Sequence, residues 1–214
     1  MVLLNFSYES FEQVVKKYIE SNYIFSTFEN YDNEINQKII LMRHDVDFDL
    51  DVAKKFALFE KDLGISSSYF FRISAKNYNL FSPNVLNILF EISNFGHEVG
   101  LHLDSNIEMT NSDYKNLIKI TKHTLEDKLD KEIKSFSIHE PSRTSIKHNF
   151  DFLYDIGFVN DCYSPKFFES IKYISDSSAR WREGHFGEWI NKVDKLQVLT
   201  HPIWWFKKFP QENY

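Results

Sequence analysis

Two periods of apolar and polar positions alternate along this chain. Behind Ser7, "SYESFEQVVKKYIESNY" spaces its apolar residues at helical intervals, with acidic residues early and lysines later, and predicts an N-terminal helix. "KIILMRHD" is a short apolar run ending in polar residues, as a buried strand does, and "DLDVAKKFALFEKDLG" returns to helical spacing between an aspartate start and a glycine stop. "SSSYFFRI" predicts a strand. "SPNVLNILFEISNFG" predicts a helix with Ser82 as N-cap, Pro83 at its first position and Gly96 as its stop. "HEVGLHL" is the next strand, "TNSDYKNLIKITKHTLEDKL" a helix, "IKSFSIHE" a strand, "SIKHNFDFLYDIG" a helix and "FVNDCY" a strand. Pro165 to Asn191 carries no regular pattern, and "DKLQVLTHP" predicts a last strand.

Strand and helix alternating over the whole chain mean a parallel sheet with helices outside, closed as a barrel or doubly wound. About seven strand candidates favour a distorted (β/α) barrel. No repeat or linker interrupts the alternation, so one domain spanning 1–214 is expected, with 1–35 as a helical extension packed on it. The 43% hydrophobic content can fill a sizeable core, and 21 Phe and 11 Tyr with few Gly and Pro exclude a disordered or fibrous chain. The net charge of −6 has no basic block, which argues against nucleic acid or anionic lipid as partner. The N-terminus lacks a basic segment before its short apolar run, and no stretch is apolar for long enough to span a bilayer, so a cytoplasmic protein is expected.

Reactive groups of parallel α/β folds gather at the carboxyl ends of the strands. Polar clusters recur there: His44-Asp45-Val46-Asp47, His102-Leu103-Asp104, His139-Glu140, Asp161 and His201. Asp45 and Asp47 flank one valine and point the same way on an extended strand end. Two adjacent carboxylates repel unless a cation or shared proton relieves them; a metal on one, with the other as base toward water activated by the metal, does so. Capping of the next helix, where Asp49 and Asp51 also lie, is the competing explanation.

His102 and Asp104 also share a side, and imidazole nitrogen with carboxylate oxygen is an ordinary zinc set. His97, at odd spacing from His102, faces away and reads as structural, together with Glu98. His201, in an apolar strand end, suits a general acid or a buried imidazole bonded to backbone. Trp204 and Trp205 read as core or as a wall for a sugar ring. Asp176, Arg180, Trp181, Arg182 and His185 fall in one loop suited to a polyhydroxylated or anionic substrate, or simply to solvent. Cys162, the one cysteine, excludes an internal disulfide and a cysteine zinc site and reads as an inert core thiol. Walker A, GxGxxG, GxSxG and HExxH patterns are absent.

With these residues in place, the chain resembles the polysaccharide deacetylase family, the NodB-homology carbohydrate esterases. "ILMRHDVDF" is similar to its first motif, "GHEVGLH" to the segment leading into its histidine metal motif, "SFSIHEPS" to a groove-lining strand end, "SDSSARW" to its Asp and Trp motif and "LTHP" to its last motif. All five follow family order from Ile39 to Pro202. The resemblance implies a NodB-like distorted barrel and one divalent metal, usually zinc, that activates water against an N-acetyl group on a sugar. It implies Asp45 as base, Asp47 and His102 as metal ligands and His201 as the acid that protonates the leaving amine. It also implies a second ligand histidine four residues after His102, where this chain has Asn106, and an arginine where it has His139.

Asp104 is therefore the expected third ligand, with Asn106 as a neutral alternative. An Asp/His/Asp set carries one more negative charge than Asp/His/His, making bound water less acidic and favouring a harder metal than zinc. His139, Asp176, Arg180 and Trp181 are the expected substrate contacts. The leading expectation is a metal-dependent hydrolase acting on an N-acetylated amino sugar or glycan precursor inside the cell. A family member that kept the groove and lost turnover, binding sugar only, is the second, and another metal-assisted amide or ester hydrolysis the third.

Overall fold

The computed structural model describes residues 5–32, 34, 36–105, 107–141 and 150–207. Its first elements are helix α1 (Tyr8–Glu20), strands β1 (Tyr23–Ser26) and β2 (Lys38–Val46), helix α2 (Leu50–Asp62), strand β3 (Ser68–Arg72) and helix α3 (Pro83–Asn94). Strand β4 (Glu98–Asp104), helix α4 (Asn111–Leu129), strand β5 (Ser135–His139) and the short helix α5 (Phe152–Asp155) follow. Strand β6 (Asn160–Asp161), helix α6 (Pro165–Phe168), strand β7 (Lys172–Ser175) and strand β8 (Lys195–Thr200) complete the order.

All pairings between these strands are parallel, in the order β6-β5-β4-β3-β2-β8-β7, with β1 pairing β2 beside that path. Seven strands curl into a half-barrel with helices outside, as the alternation predicts. β6 and β7 are its two edges. Between them stand three aromatic rings, with Phe168 of α6 4.9 Å from Tyr173 of β7 and 5.6 Å from Tyr163 after β6. Two strands lie where the pattern does not predict them: β7 falls in the patternless stretch, and β1 in the stretch read as a helical extension. Each has four residues, too few to display a period. The helix predicted over "SIKHNFDFLYDIG" is described only from its residue 150, and α5 forms its last part.

Strands β2, β3, β4, β5 and β8 are buried on both faces, which explains the near-continuous apolar runs of the longer ones. Along β2 the two faces differ. Ile40 and Met42 point outward to a core built with Phe11, Val14 and Tyr18 of α1, Phe56 of α2 and Trp205. Ile39 and Leu41 point into the half-barrel with Phe70, Phe28 and Phe167. The outer faces of β3, β4 and β5 supply Tyr69, Phe71, Leu101, Leu103 and Phe136 to a third cluster under α2, α3 and α4. Helix starts are secured by side chains: Ser7, Asp49 and Thr110 each accept a backbone N–H of the first turn.

Asp45 and Asp47 do not cap α2; that role falls to Asp49, whose carboxylate accepts from Val52 N at 3.0 Å. His97 turns outward, where its Nδ1 accepts from Ser67 N and its Nε2 lies 2.8 Å from the Ala57 carbonyl. Among the described residues, no helix is long and apolar enough to cross a membrane.

Candidate active site

The inward face of β2 changes from apolar to ionisable toward its carboxyl end, and β4, β5 and β8 bring further ionisable groups to the same end. On β2 the sequence is Ile39, Leu41, Arg43, Asp45, with Asp47 just beyond; on β4 it ends in His102 and Asp104, on β5 in Ser137 and His139, and His201 follows β8. Register sets their depth. His102 lies level with Arg72 on one side and Ser137 on the other, and Asp104 level with His139.

Three groups converge. One donor atom each from Asp47, His102 and His139 lies within 4.8 Å of the others. Asp47 Oδ1 is 3.5 Å from His102 Nε2 and 3.3 Å from His139 Nδ1, and the two imidazole nitrogens are 3.1 Å apart. That oxygen is buried and makes no hydrogen bond. A buried carboxylate oxygen left unbonded beside two imidazole nitrogens is costly unless a cation completes it, and one oxygen with two nitrogens is a normal zinc donor set. These residues fit a divalent metal. Burial opposes ionisation of Asp47, yet the adjacent imidazoles of His139, His102 and His201 hold the carboxyl well below its ordinary range. Burial lowers His102 to about 4, against the pull of Asp45 and Asp47, so its imidazole is neutral and able to ligate.

Asp104 is not the third member of this group. Its Oδ1 accepts from Arg72 Nε at 2.9 Å and Nη2 at 2.5 Å, and its Oδ2 accepts from Ser74 Oγ. The physical reason is charge pairing: turning Asp104 to the cluster would leave the guanidinium of Arg72, on the adjacent strand, without its counterion. Asn106 lies outside the described residues. His139, expected among the substrate contacts, stands in the third position instead.

Asp45 lies behind His102, with Oδ2 3.6 Å from its Nε2. The wholly buried Arg43 holds it through two bonds, Nε to Oδ1 at 2.9 Å and Nη2 to Oδ2 at 2.8 Å. Burial works to raise the Asp45 pKa, but Arg43 and then His102 outweigh it and keep the carboxyl ionised. Arg43 also lies 4.7 Å from the ring centre of Tyr163, whose hydroxyl accepts from its Nη2 at 3.1 Å. Sequence reasoning missed Arg43, although its spacing of two from Asp45 already put both on one face of the strand.

On the other side, His201 Nε2 is 3.9 Å from Asp47 Oδ2. Its Nδ1 donates to Asp176 Oδ1 at 2.6 Å. Burial disfavours charge on His201, but Asp176 outweighs it, and the pKa rises to about 9. Asp176 is wholly buried and also accepts from His201 N and Trp205 Nε1, so it orients the histidine rather than touching a substrate. Trp181, partly buried, packs against the core 6.2 Å from Phe6 and 6.5 Å from Trp205. Arg180 is exposed and lies off the cavity wall, whereas Arg182 lines it. Trp205 is core and Trp204 faces the cavity. Cys162 is buried and free, its thiol pushed up by burial.

Above the cluster opens a cavity of about 790 Å³ whose walls include Phe48, Tyr163, Phe168, Tyr173 and Trp204. A polar floor beneath aromatic walls suits a small amphipathic ligand such as a sugar.

No protein-family model matches the chain, and no curated protein does. Solved structures do. A family 4 carbohydrate esterase pseudoenzyme from Bacillus anthracis, BA3943, is similar at 13% identity and a TM-score of 0.55, over 78% of this chain and 56% of its own. IcaB from Ammonifex degensii matches at 17% identity and a TM-score of 0.54, over 72% of this chain and 74% of its own. The peptidoglycan deacetylase PdaC of Bacillus subtilis matches at 15% and 0.53, over 78% and 76%. The chain thus spans little more than half of the pseudoenzyme's length. At these identities the likeness is one of architecture: the chain has the NodB-like half-barrel fold of the family 4 carbohydrate esterases.

Proposed function

We propose that the chain is a divergent polysaccharide deacetylase, a metal-dependent hydrolase that removes the acetyl group from an N-acetylated amino sugar or glycan precursor. The observation that carries this reading is the meeting of Asp47, His102 and His139 on the cavity floor, with Asp45 and His201 to either side. Asp47 Oδ1, His102 Nε2 and His139 Nδ1 would hold one divalent cation, taken here as zinc. Bound there, the cation would supply Lewis-acid activation of water and polarisation of the acetyl carbonyl.

The chain's own groups handle the protons. Asp45 accepts the proton of the attacking water at Oδ2, the oxygen nearer the cluster, while Arg43 fixes the plane of the carboxylate. His201 carries a proton at Nε2, because Asp176 binds Nδ1 and favours the imidazolium, and delivers it to the departing amine. The aromatic walls orient the sugar and limit water. A similar structure supports this reading, since PdaC is a peptidoglycan deacetylase.

One test combines metal content by plasma mass spectrometry with acetate release from N-acetylated amino sugars and their oligomers. Near one zinc per chain is expected in the parent protein and in Asp104→Ala, with loss in Asp47→Ala, His102→Ala and His139→Ala. No zinc after reconstitution would overturn the reading.

A second reading is a sugar-binding relative without turnover. The grip of Arg43 on both oxygens of Asp45 favours it, because a carboxylate held well ionised is a weak base. Sugar binding without acetate release from the zinc-loaded protein, unchanged in Asp45→Asn, would establish it.

A further inference from the structure

Ser137 has no role in the chemistry above, yet its hydroxyl sits between the proposed base and a proposed ligand. It lies on β5 directly beside His102 of β4 in register and is wholly buried. Its Oγ is 2.6 Å from His102 Nδ1 and 3.5 Å from Asp45 Oδ1. Resting on the metal reading of the cluster, we infer that Ser137 is a positioning residue that fixes the tautomer of His102 and leaves its Nε2 lone pair facing Asp47 and His139.

A serine hydroxyl has one proton and can also accept. Ionised Asp45 can only accept, so the long contact to Asp45 Oδ1 takes the hydroxyl proton, and the short contact to His102 must run the other way, with Nδ1–H donating to Oγ. A neutral imidazole has a single N–H. With it on Nδ1, Nε2 is unprotonated, and this is the nitrogen 3.1 Å from His139 Nδ1 and 3.5 Å from Asp47 Oδ1. The opposite tautomer would place a proton in the proposed metal position and offer the ligand nitrogen to a serine. Partners of this kind, bonded to the far nitrogen of a ligating histidine, set ring orientation and ligand strength. Ser137 thereby also ties β5 to β4 beneath His139, so that both histidines stand on one braced pair of strands.

The experiment uses the metal-free full chain with histidine-selective nitrogen-15 labelling. Long-range proton–nitrogen correlation reads the His102 tautomer, assigned by its loss in His102→Gln, and calorimetric titration with zinc reads affinity. The parent protein should show the Nδ1–H form, and Ser137→Ala should show the Nε2–H form or a mixture, with zinc affinity reduced about tenfold to a hundredfold. Ser137→Thr, which keeps the hydroxyl, should restore both. An Nε2–H tautomer in the parent protein overturns the inference, and so does a Ser137→Ala protein whose tautomer and zinc affinity match the parent's. If the parent binds no zinc, the metal reading fails, and the tautomer measurement still decides the role of Ser137.

Discussion

Asp176 shows how one buried charge can organise a site it does not line. Three donors converge on its carboxylate: His201 N, His201 Nδ1 and Trp205 Nε1. The histidine is thereby fixed in both orientation and charge, and the tryptophan ties the arrangement to the core. Removing the carboxylate strands all three donors, so Asp176→Ala should cost about 3 kcal/mol of stability, the scale of breaking a buried charge pair, measured by urea unfolding. His201→Gln separates chemistry from packing. It removes the proposed acid and should lower acetate release about 10²- to 10⁴-fold while zinc content stays near one per chain. Undiminished release would remove His201 from the mechanism.

Individual strands carry two kinds of information, one at each end. At its carboxyl end β4 presents His102; at its amino end it presents Glu98, which accepts from Ser68 Oγ at 2.5 Å, Phe28 N at 2.9 Å and Glu29 N at 3.3 Å. Burial, reinforced by the nearby Glu29 charge, raises Glu98 to about 7, and the hydrogen bonds from Ser135 and Ser68 only partly oppose this. The folded protein therefore keeps that proton up to about pH 7, whereas the unfolded chain releases it near 4.5. This contribution to stability is complete below the unfolded value, declines as pH rises and is gone above the folded one, a change of roughly 3 kcal/mol. Glu98→Gln should flatten the profile, and urea midpoints from about pH 5 to 8 would reveal an unchanged slope if Glu98 is not the cause. Midway along β4, Gly100 permits close approach: a Cβ there would meet Phe70 ring carbons at 2.5 Å and the Ser135 carbonyl at 2.9 Å. Gly100→Ala should cost about 1–3 kcal/mol by overpacking, visible as a lower urea midpoint. The long strands and their polar ends were legible because each is buried on both faces and changes character at one end. β1 and β7 were not, being too short for a period. Asp104 stands outside the cluster for a different reason: it has the right spacing from His102, but its pairing with Arg72 is fixed by a neighbouring strand, which local spacing does not reveal.

For the molecule as a whole, the cluster draws its donors from separate parts of the sheet. Asp47 follows β2, His102 is on β4 and His139 ends β5, with β3 lying between the first and second of these. A cation shared by all three would cross-link strands that the backbone joins only through helices and long loops. Unfolding would have to release it, so free zinc must stabilise the folded state by mass action, by about 2.7 kcal/mol at a hundredfold excess over the dissociation constant. In a chain of this size that corresponds to a rise of roughly 5–10 °C in Tm. Asp47→Ala and His139→Ala should lose the rise, because each removes a donor. Asp104→Ala should keep it while melting lower throughout, because it leaves Arg72 unpaired outside the cluster. Calorimetry at fixed zinc on these four proteins distinguishes a site from loose adsorption. If the rise persists in Asp47→Ala and His139→Ala, zinc binds elsewhere and the convergence of the three strands serves another purpose. If Asp104→Ala and Asp47→Ala both abolish it while His139→Ala keeps it, the metal takes the carboxylate from Arg72, and the ligand set is the one that spacing along β4 first suggested.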